Sequence, residues 1–174
     1  SAYKIKPKVV VIPKNLKDIV LVLHFASKRK ISVTPRGAGT GLVGSALGDG
    51  IILDMKNFDK IKISKDHVEV GAGALKGNLD KELLKHGKFF GPNPSVGPYC
   101  TVGGMIATNA SGSRSLKYGS MIDNLLEVTL VTGTGDLIKL PSKTKYAEFV
   151  VSVANGIDKS TFPQVSKNSC GYRL

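Results

Sequence analysis

The residues with the clearest chemical character form a glycine-rich run, Pro35-Arg36-Gly37-Ala38-Gly39-Thr40-Gly41-Leu42, directly after a predicted strand. Glycine tolerates positive φ and lets a ligand approach the main chain closely. Successive N–H groups that face one concavity form a nest for anions such as phosphate or pyrophosphate. The run therefore predicts a nucleotide cofactor. Taken alone, the same segment could be a structural glycine loop.

The surrounding sequence excludes two common nucleotide-binding loops. A P-loop requires Gly-Lys-Ser/Thr at the start of a helix, and the chain contains none. A dinucleotide-binding Rossmann loop requires G-x-G-x-x-G opening a helix. Here the spacing is G-x-G-x-G, and the run continues through Gly44, Gly48 and Gly50 into a predicted strand. We therefore expect no helix directly after the run.

Two later segments have a composition that suits a large, flat ligand. Gly91 to Gly104 contains three prolines and the hydroxyls of Ser95 and Thr101. The prolines stiffen the backbone, and the pair Gly103-Gly104 allows close approach. Ala107 to Ser113 is a run of small residues around Asn109, whose amide can donate and accept hydrogen bonds. Taken alone, the first segment could be a rigid surface loop and the second a packed turn.

Composition limits the range of partners. The net charge is +12, but the lysines are spread along the 174 residues and aromatic residues make up 6%, so we expect no nucleic-acid site. Cys100 and Cys170 predict two reduced thiols, and the three histidines have no zinc spacing, so no metal site is expected. No apolar run approaches the roughly 20 residues that span a bilayer. We expect a cytoplasmic protein, with peripheral membrane contact left open.

Hydrophobic periodicity predicts alternating strands and helices. An N-terminal strand, a helix capped by Asn15 and a second strand predict a right-handed βαβ unit with parallel strands. Tyr146 to Val153 could be strand or helix. The predicted elements are strands at 8–12, 31–34 and 50–55, hairpins at 58–70 and 125–140, and helices at 15–30, 75–86 and 102–109.

In this order, the three segments resemble the PCMH-type FAD-binding domain of the vanillyl-alcohol oxidase flavoproteins, and most closely its D-lactate and glycolate dehydrogenase branch. The matching stretches are PRGAGTGL, PSVGPYCTVGG, MIATNASGSRSLKYG, NLLEVTLVTGTGDL and KNSCGYRL. The resemblance implies an α+β fold in which residues 1–70 form a small βαβ lobe. Residues 71–174 would form a larger lobe with an antiparallel sheet, and FAD would lie between the lobes.

The resemblance also implies which residues bind the cofactor. The glycine run would wrap the pyrophosphate, the second segment would line the ribityl and phosphate region, and the third would lie against the isoalloxazine ring. The implied cofactor-binding residues are Pro35, Arg36, Gly37, Ala38, Gly39, Thr40, Gly41, Leu42, Pro94, Ser95, Thr101, Val102, Gly103, Gly104, Ala107, Asn109 and Gly112. Relatives with covalent flavin often carry histidine at the position of Thr40, so the expected FAD is non-covalent.

The function implied by the resemblance is oxidation of a small 2-hydroxy acid, such as D-lactate or glycolate, by hydride transfer to flavin N5. The substrate-binding groups and the base of this branch lie in a later substrate or cap domain, so we expect no catalytic residue in a chain truncated at its C-terminus. We expect this chain alone to be inactive, to retain FAD weakly or not at all after purification, and to dimerise through an exposed sheet edge. The alternatives are an isolated cofactor-binding module or subunit and an enzyme of the ether-lipid synthase type. A contact with an electron acceptor is left open.

Overall fold

The computed structural model describes residues 3–160 and 162–165, and the first element in it is a parallel sheet. The central strand is buried at Ile51, Ile52 and Leu53, which explains why its sequence is continuously apolar. The two flanking strands belong to the predicted strand–helix–strand unit and run parallel as expected. The central strand, which is third in the sequence, lies between them. The strands are β1 (Val9–Val11), β2 (Val33–Arg36) and β3 (Ile51–Asp54), in the order β1-β3-β2.

Helix α1 (Leu16–Arg29) connects β1 to β2. The predicted cap is confirmed, because Asn15 Oδ1 accepts a hydrogen bond from the Asp18 N–H at 3.1 Å. The C-cap of the helix is Lys30, which adopts a left-handed conformation with φ 53°. Residues 37–50 then connect β2 to β3 without a helix, as the glycine spacing predicts.

A second group of elements surrounds a separate apolar core. The predicted hairpin is confirmed as an antiparallel pair, β4 (Ile61–Ile63) and β5 (Val68–Val70). Helices α2 (Lys76–Leu84) and α3 (Val102–Ala107) follow. The core consists of apolar side chains from these helices and from the loops beside them, namely Leu79, Leu83, Cys100, Val102, Met105 and Met121.

The last elements are a short helix, a hairpin and a longer helix. They are α4 (Ser115–Tyr118), β6 (Val128–Val131), β7 (Leu137–Leu140) and α5 (Lys145–Asn155). The hairpin is confirmed, and the ambiguous segment at 146–153 is helical. Its N-cap is Thr144, whose Oγ1 accepts a hydrogen bond from the Ala147 N–H at 3.1 Å. Single 3₁₀ turns occur at Gly97–Tyr99 and Ile122–Asn124.

The mixture of helices with parallel and antiparallel strand pairs is the expected α+β class. The chain forms two compact units, residues 1–126 with 131–137, and residues 127–130 with 138–174. The division into two lobes, residues 1–70 and residues 71–174, stays a prediction. Cys170 and the KNSCGYRL segment lie outside the described residues. Among the helices that the structure describes, none is long and apolar enough to cross a bilayer.

Candidate cofactor site

The first and second predicted segments meet just after β2. A Cβ atom on Gly37 would lie 2.0 Å from Thr101 Oγ1. The first and second segments therefore approach each other more closely than any side chain at position 37 would permit. Thr101 is 5% exposed. Its Oγ1 accepts a hydrogen bond from the Gly104 N–H at 3.3 Å and caps α3. The hydroxyl assigned to the cofactor therefore also holds the start of this helix.

The C-terminal end of the second segment, residues 100–103, is held by residues 72–76. The Lys76 N–H donates to the Cys100 carbonyl at 2.8 Å, and the Gly103 N–H donates to the Ala72 carbonyl at 2.9 Å. A Cβ on Gly103 would lie 2.7 Å from the Ala72 oxygen, so chain packing alone requires this glycine. Gly104, in contrast, is exposed.

The second and third segments also touch each other. A Cβ on Gly112 would lie 1.9 Å from the Asn93 carbonyl oxygen. The Asn93 amide Nδ2 donates to Ser113 Oγ at 3.3 Å. Asn109 has φ 45°, and its Oδ1 accepts a hydrogen bond from the Ile122 N–H at 3.0 Å. Contacts with neighbouring chain segments thus explain why a glycine stands at position 112 and an asparagine at position 109.

The glycine run carries a row of unused backbone donors. From Gly37 to Ala46, no backbone N–H donates a hydrogen bond to an acceptor within residues 3–160 and 162–165. Gly37, Gly39 and Thr40 are only half-exposed. Because these residues are exposed or half-exposed and their N–H groups have no acceptor among the described residues, the donors are accessible to an external acceptor. An anion with several oxygens fits this arrangement.

A cavity of about 210 Å³ opens beside this row. It brings together three of the predicted residues, Gly37, Ala38 and Thr101. The sequence did not identify the rest of its lining, which comprises Lys56, Asp59, Gly73, Leu75 and Asn78. The signal that could have found this side of the cavity is the triplet Gly71-Ala72-Gly73 after β5. Gly73 packs against the main chain, because a Cβ there would lie 2.0 Å from the Met55 oxygen.

Arg36 lies on another side of the glycine run. It lines a different cavity, of about 220 Å³, together with Asp54. Its guanidinium packs under Gly39, where a Cβ would lie 2.6 Å from Arg36 Nη2. Gly39 also has φ 69°, which favours glycine. Arg36 therefore supports the run from outside the cavity that contains Thr101.

The other predicted residues lie outside the lining of both cavities. Val102 is buried in the core with Met105. The exposed ones are Pro35, Gly41, Leu42, Ser95, Gly104, Ala107 and Asn109, and those half-exposed are Gly39, Thr40, Pro94, Gly103 and Gly112.

The buried thiol near the cavity is an inert group. The Cys100 Sγ–H donates to the Gly97 carbonyl at 3.2 Å, and burial raises the pKa of the thiol. Cys100 therefore stays neutral at physiological pH and is a poor nucleophile. Within the part of the chain that the structure describes, no cluster of His, Cys, Asp or Glu could hold a metal ion.

Comparison with known proteins gives consistent matches. The family described as "FAD binding domain" matches residues 7–141. D-2-hydroxyglutarate dehydrogenase from Escherichia coli is 39% identical over 145 residues, which are 79% of this chain and 14% of that protein. D-lactate dehydrogenase from Archaeoglobus fulgidus is 39% identical over 140 residues, which are 78% of this chain and 31% of that protein.

The fold also matches solved flavoprotein structures. The structure of 6-hydroxy-D-nicotine oxidase from Arthrobacter nicotinovorans superposes with a TM-score of 0.70 at 28% identity, over 76% of this chain and 30% of that one. The chain thus spans less than a third of the length of the relatives it matches. The resemblance carried by the three sequence segments is confirmed: this chain belongs to the family of FAD binding domains.

Proposed function

We propose that this chain binds FAD through the glycine run and forms the cofactor-binding part of an oxidoreductase. The observation that carries the proposal is the row of unpaired N–H donors that begins at Gly37 beside the cavity. Hydrogen bonds from several amides to a charged phosphate oxygen are stronger than bonds between neutral groups. The run from Gly37 to Leu42 would hold the pyrophosphate, and Thr101 would close one side of the cavity.

FAD, when bound, supplies a hydride acceptor at flavin N5. The residues of this chain bind and orient the cofactor, and the second and third segments, around Gly104 and Asn109, would border its ring. The groups that recognise the substrate and take its hydroxyl proton would lie outside this chain, which spans less than a third of its relatives.

The substrate that we propose for the whole protein is a small 2-hydroxy acid. The support comes from two relatives at 39% identity, named D-2-hydroxyglutarate dehydrogenase and D-lactate dehydrogenase. The test is anaerobic mixing of the FAD-loaded whole protein with D-lactate, glycolate or D-2-hydroxyglutarate while flavin absorbance is followed. We expect one of them to bleach the flavin. No bleaching by any of them would contradict the substrate class.

A second candidate is an isolated cofactor-binding module or subunit with no activity of its own. The support for a subunit is a relative from Escherichia coli named glycolate oxidase subunit GlcD, which is 33% identical over 147 residues. The same experiment with this 174-residue chain discriminates the two, because bleaching by a 2-hydroxy acid would exclude an inactive module.

The proposed FAD is non-covalent, because Thr40 offers no nucleophilic nitrogen to the flavin ring. We expect acid precipitation of the FAD-loaded chain to leave the yellow colour in the supernatant. The measurement is the flavin absorbance of both fractions. Flavin that stays with the precipitate after washing would contradict the prediction.

A further inference from the structure

We propose that Lys56 supplies the positive charge that holds the FAD pyrophosphate, an inference that rests on the proposed function. The glycine run itself has no side chain for this purpose, because residues 37–46 contain neither lysine nor arginine. The nearest arginine in sequence, Arg36, lines the other cavity together with Asp54. In the cavity beside Gly37, the run itself would therefore offer only backbone amides to the negative charge of the phosphates.

The topology of the parallel sheet brings Lys56 to this place. Arg36 at the end of β2 pairs with Asp54 at the end of β3. The glycine run follows β2 directly, and Lys56 follows β3, so both leave the same edge of the sheet. The carboxyl ends of parallel strands are the usual position for ligands in such sheets. The Lys56 N–H donates to Asp54 Oδ1 at 3.1 Å, which fixes the turn that carries the lysine.

The charges around the cavity give Lys56 a specific task. Lys56 shares the lining with Gly37 and Ala38 and is the basic residue in it. None of the ion pairs among the described residues involves Lys56. Asp59 belongs to the same lining, and its carboxylate would repel a pyrophosphate. A cation in the same lining offsets that repulsion, and the ammonium of Lys56 is available for it.

The test compares FAD dissociation constants of the unmodified chain with those of Lys56→Met, Lys56→Arg and Lys60→Met. Lys60 is an exposed lysine of the same segment that lines neither cavity, so Lys60→Met makes the same charge change outside the site. We expect Lys56→Met to weaken FAD binding about tenfold, as for a lost hydrogen bond to a charged group. Lys56→Arg should stay within about threefold of the unmodified chain, since it keeps the charge.

Salt provides a readout that a merely structural role would not change. The difference between the unmodified chain and Lys56→Met should shrink as sodium chloride rises, because exposed charges are screened. Equal dissociation constants for these two proteins would overturn the role of Lys56 and leave the proposed function standing. An equal loss in Lys60→Met would overturn it too, as an effect of net charge alone. Failure of the unmodified chain to bind FAD would overturn the proposed function and this inference together.

Discussion

Gly112→Ala should lower the free energy of unfolding by more than about 3 kcal/mol, the largest stability effect that we expect from one methyl group. The added Cβ would lie 1.9 Å from the Asn93 carbonyl oxygen, and a main-chain atom cannot rotate away. The φ of 136° adds strain for any residue with a side chain. Urea denaturation followed by circular dichroism measures the loss.

Gly87→Ala is the matched control for this change. Gly87 also has a positive φ, 65°, but a Cβ there would have no atom within 4 Å. It should therefore show only the penalty of the left-handed conformation, about 1 kcal/mol. Equal losses in the two variants would show that the contact between Gly112 and Asn93 does not hold the second and third segments together.

Gly37→Ala should weaken FAD binding about 100-fold, because a displaced glycine run loses hydrogen bonds to a charged group. The added Cβ would lie 2.0 Å from Oγ1 and 3.1 Å from Cβ of Thr101, which is buried and caps α3. Either Thr101 or the run must move. FAD titration monitored by flavin fluorescence measures the change in affinity.

The double variant Gly37→Ala/Thr101→Ala tests that cause. Thr101→Ala removes the hydroxyl and should by itself cost about 1 kcal/mol of stability as a lost N-cap. Because it also removes the closest clashing atom, the double variant should bind FAD better than Gly37→Ala alone. Gly133→Ala, where a Cβ would have no neighbour within 4 Å, should leave affinity unchanged. If the losses in FAD affinity of the two single variants simply add in the double variant, the steric explanation is contradicted.

Local signals were sufficient for most of the elements. The cap at Asn15 lies within one turn of the helix that it starts, and its bond to Asp18 is local. The absence of a helix after the glycine run followed from the spacing of its glycines. The position of β3 between β1 and β2 did not, because strand order depends on contacts between distant parts of the chain.

The candidate site was predicted only in part, because it too depends on contacts between distant parts of the chain. The glycine run could be identified from composition, whereas Lys56, Asp59 and Asn78 are ordinary polar residues until the fold brings them beside it. Composition also does not distinguish a glycine that makes room for a neighbouring chain segment from one that makes room for a ligand. Gly103 and Gly112 are explained by packing against Ala72 and Asn93, while the N–H groups after Gly37 have no acceptor in the described chain.

Titration of the purified 174-residue chain with FAD tests the central claim most directly. Isothermal calorimetry on the folded chain, with folding checked by circular dichroism, should give saturable binding of one FAD per chain, with an affinity low enough for the cofactor to be lost during purification. Gly37→Ala should lose most of that signal and Gly133→Ala should keep it. A folded chain that gives no saturable signal with FAD in excess would contradict the assignment of the glycine run as a cofactor site.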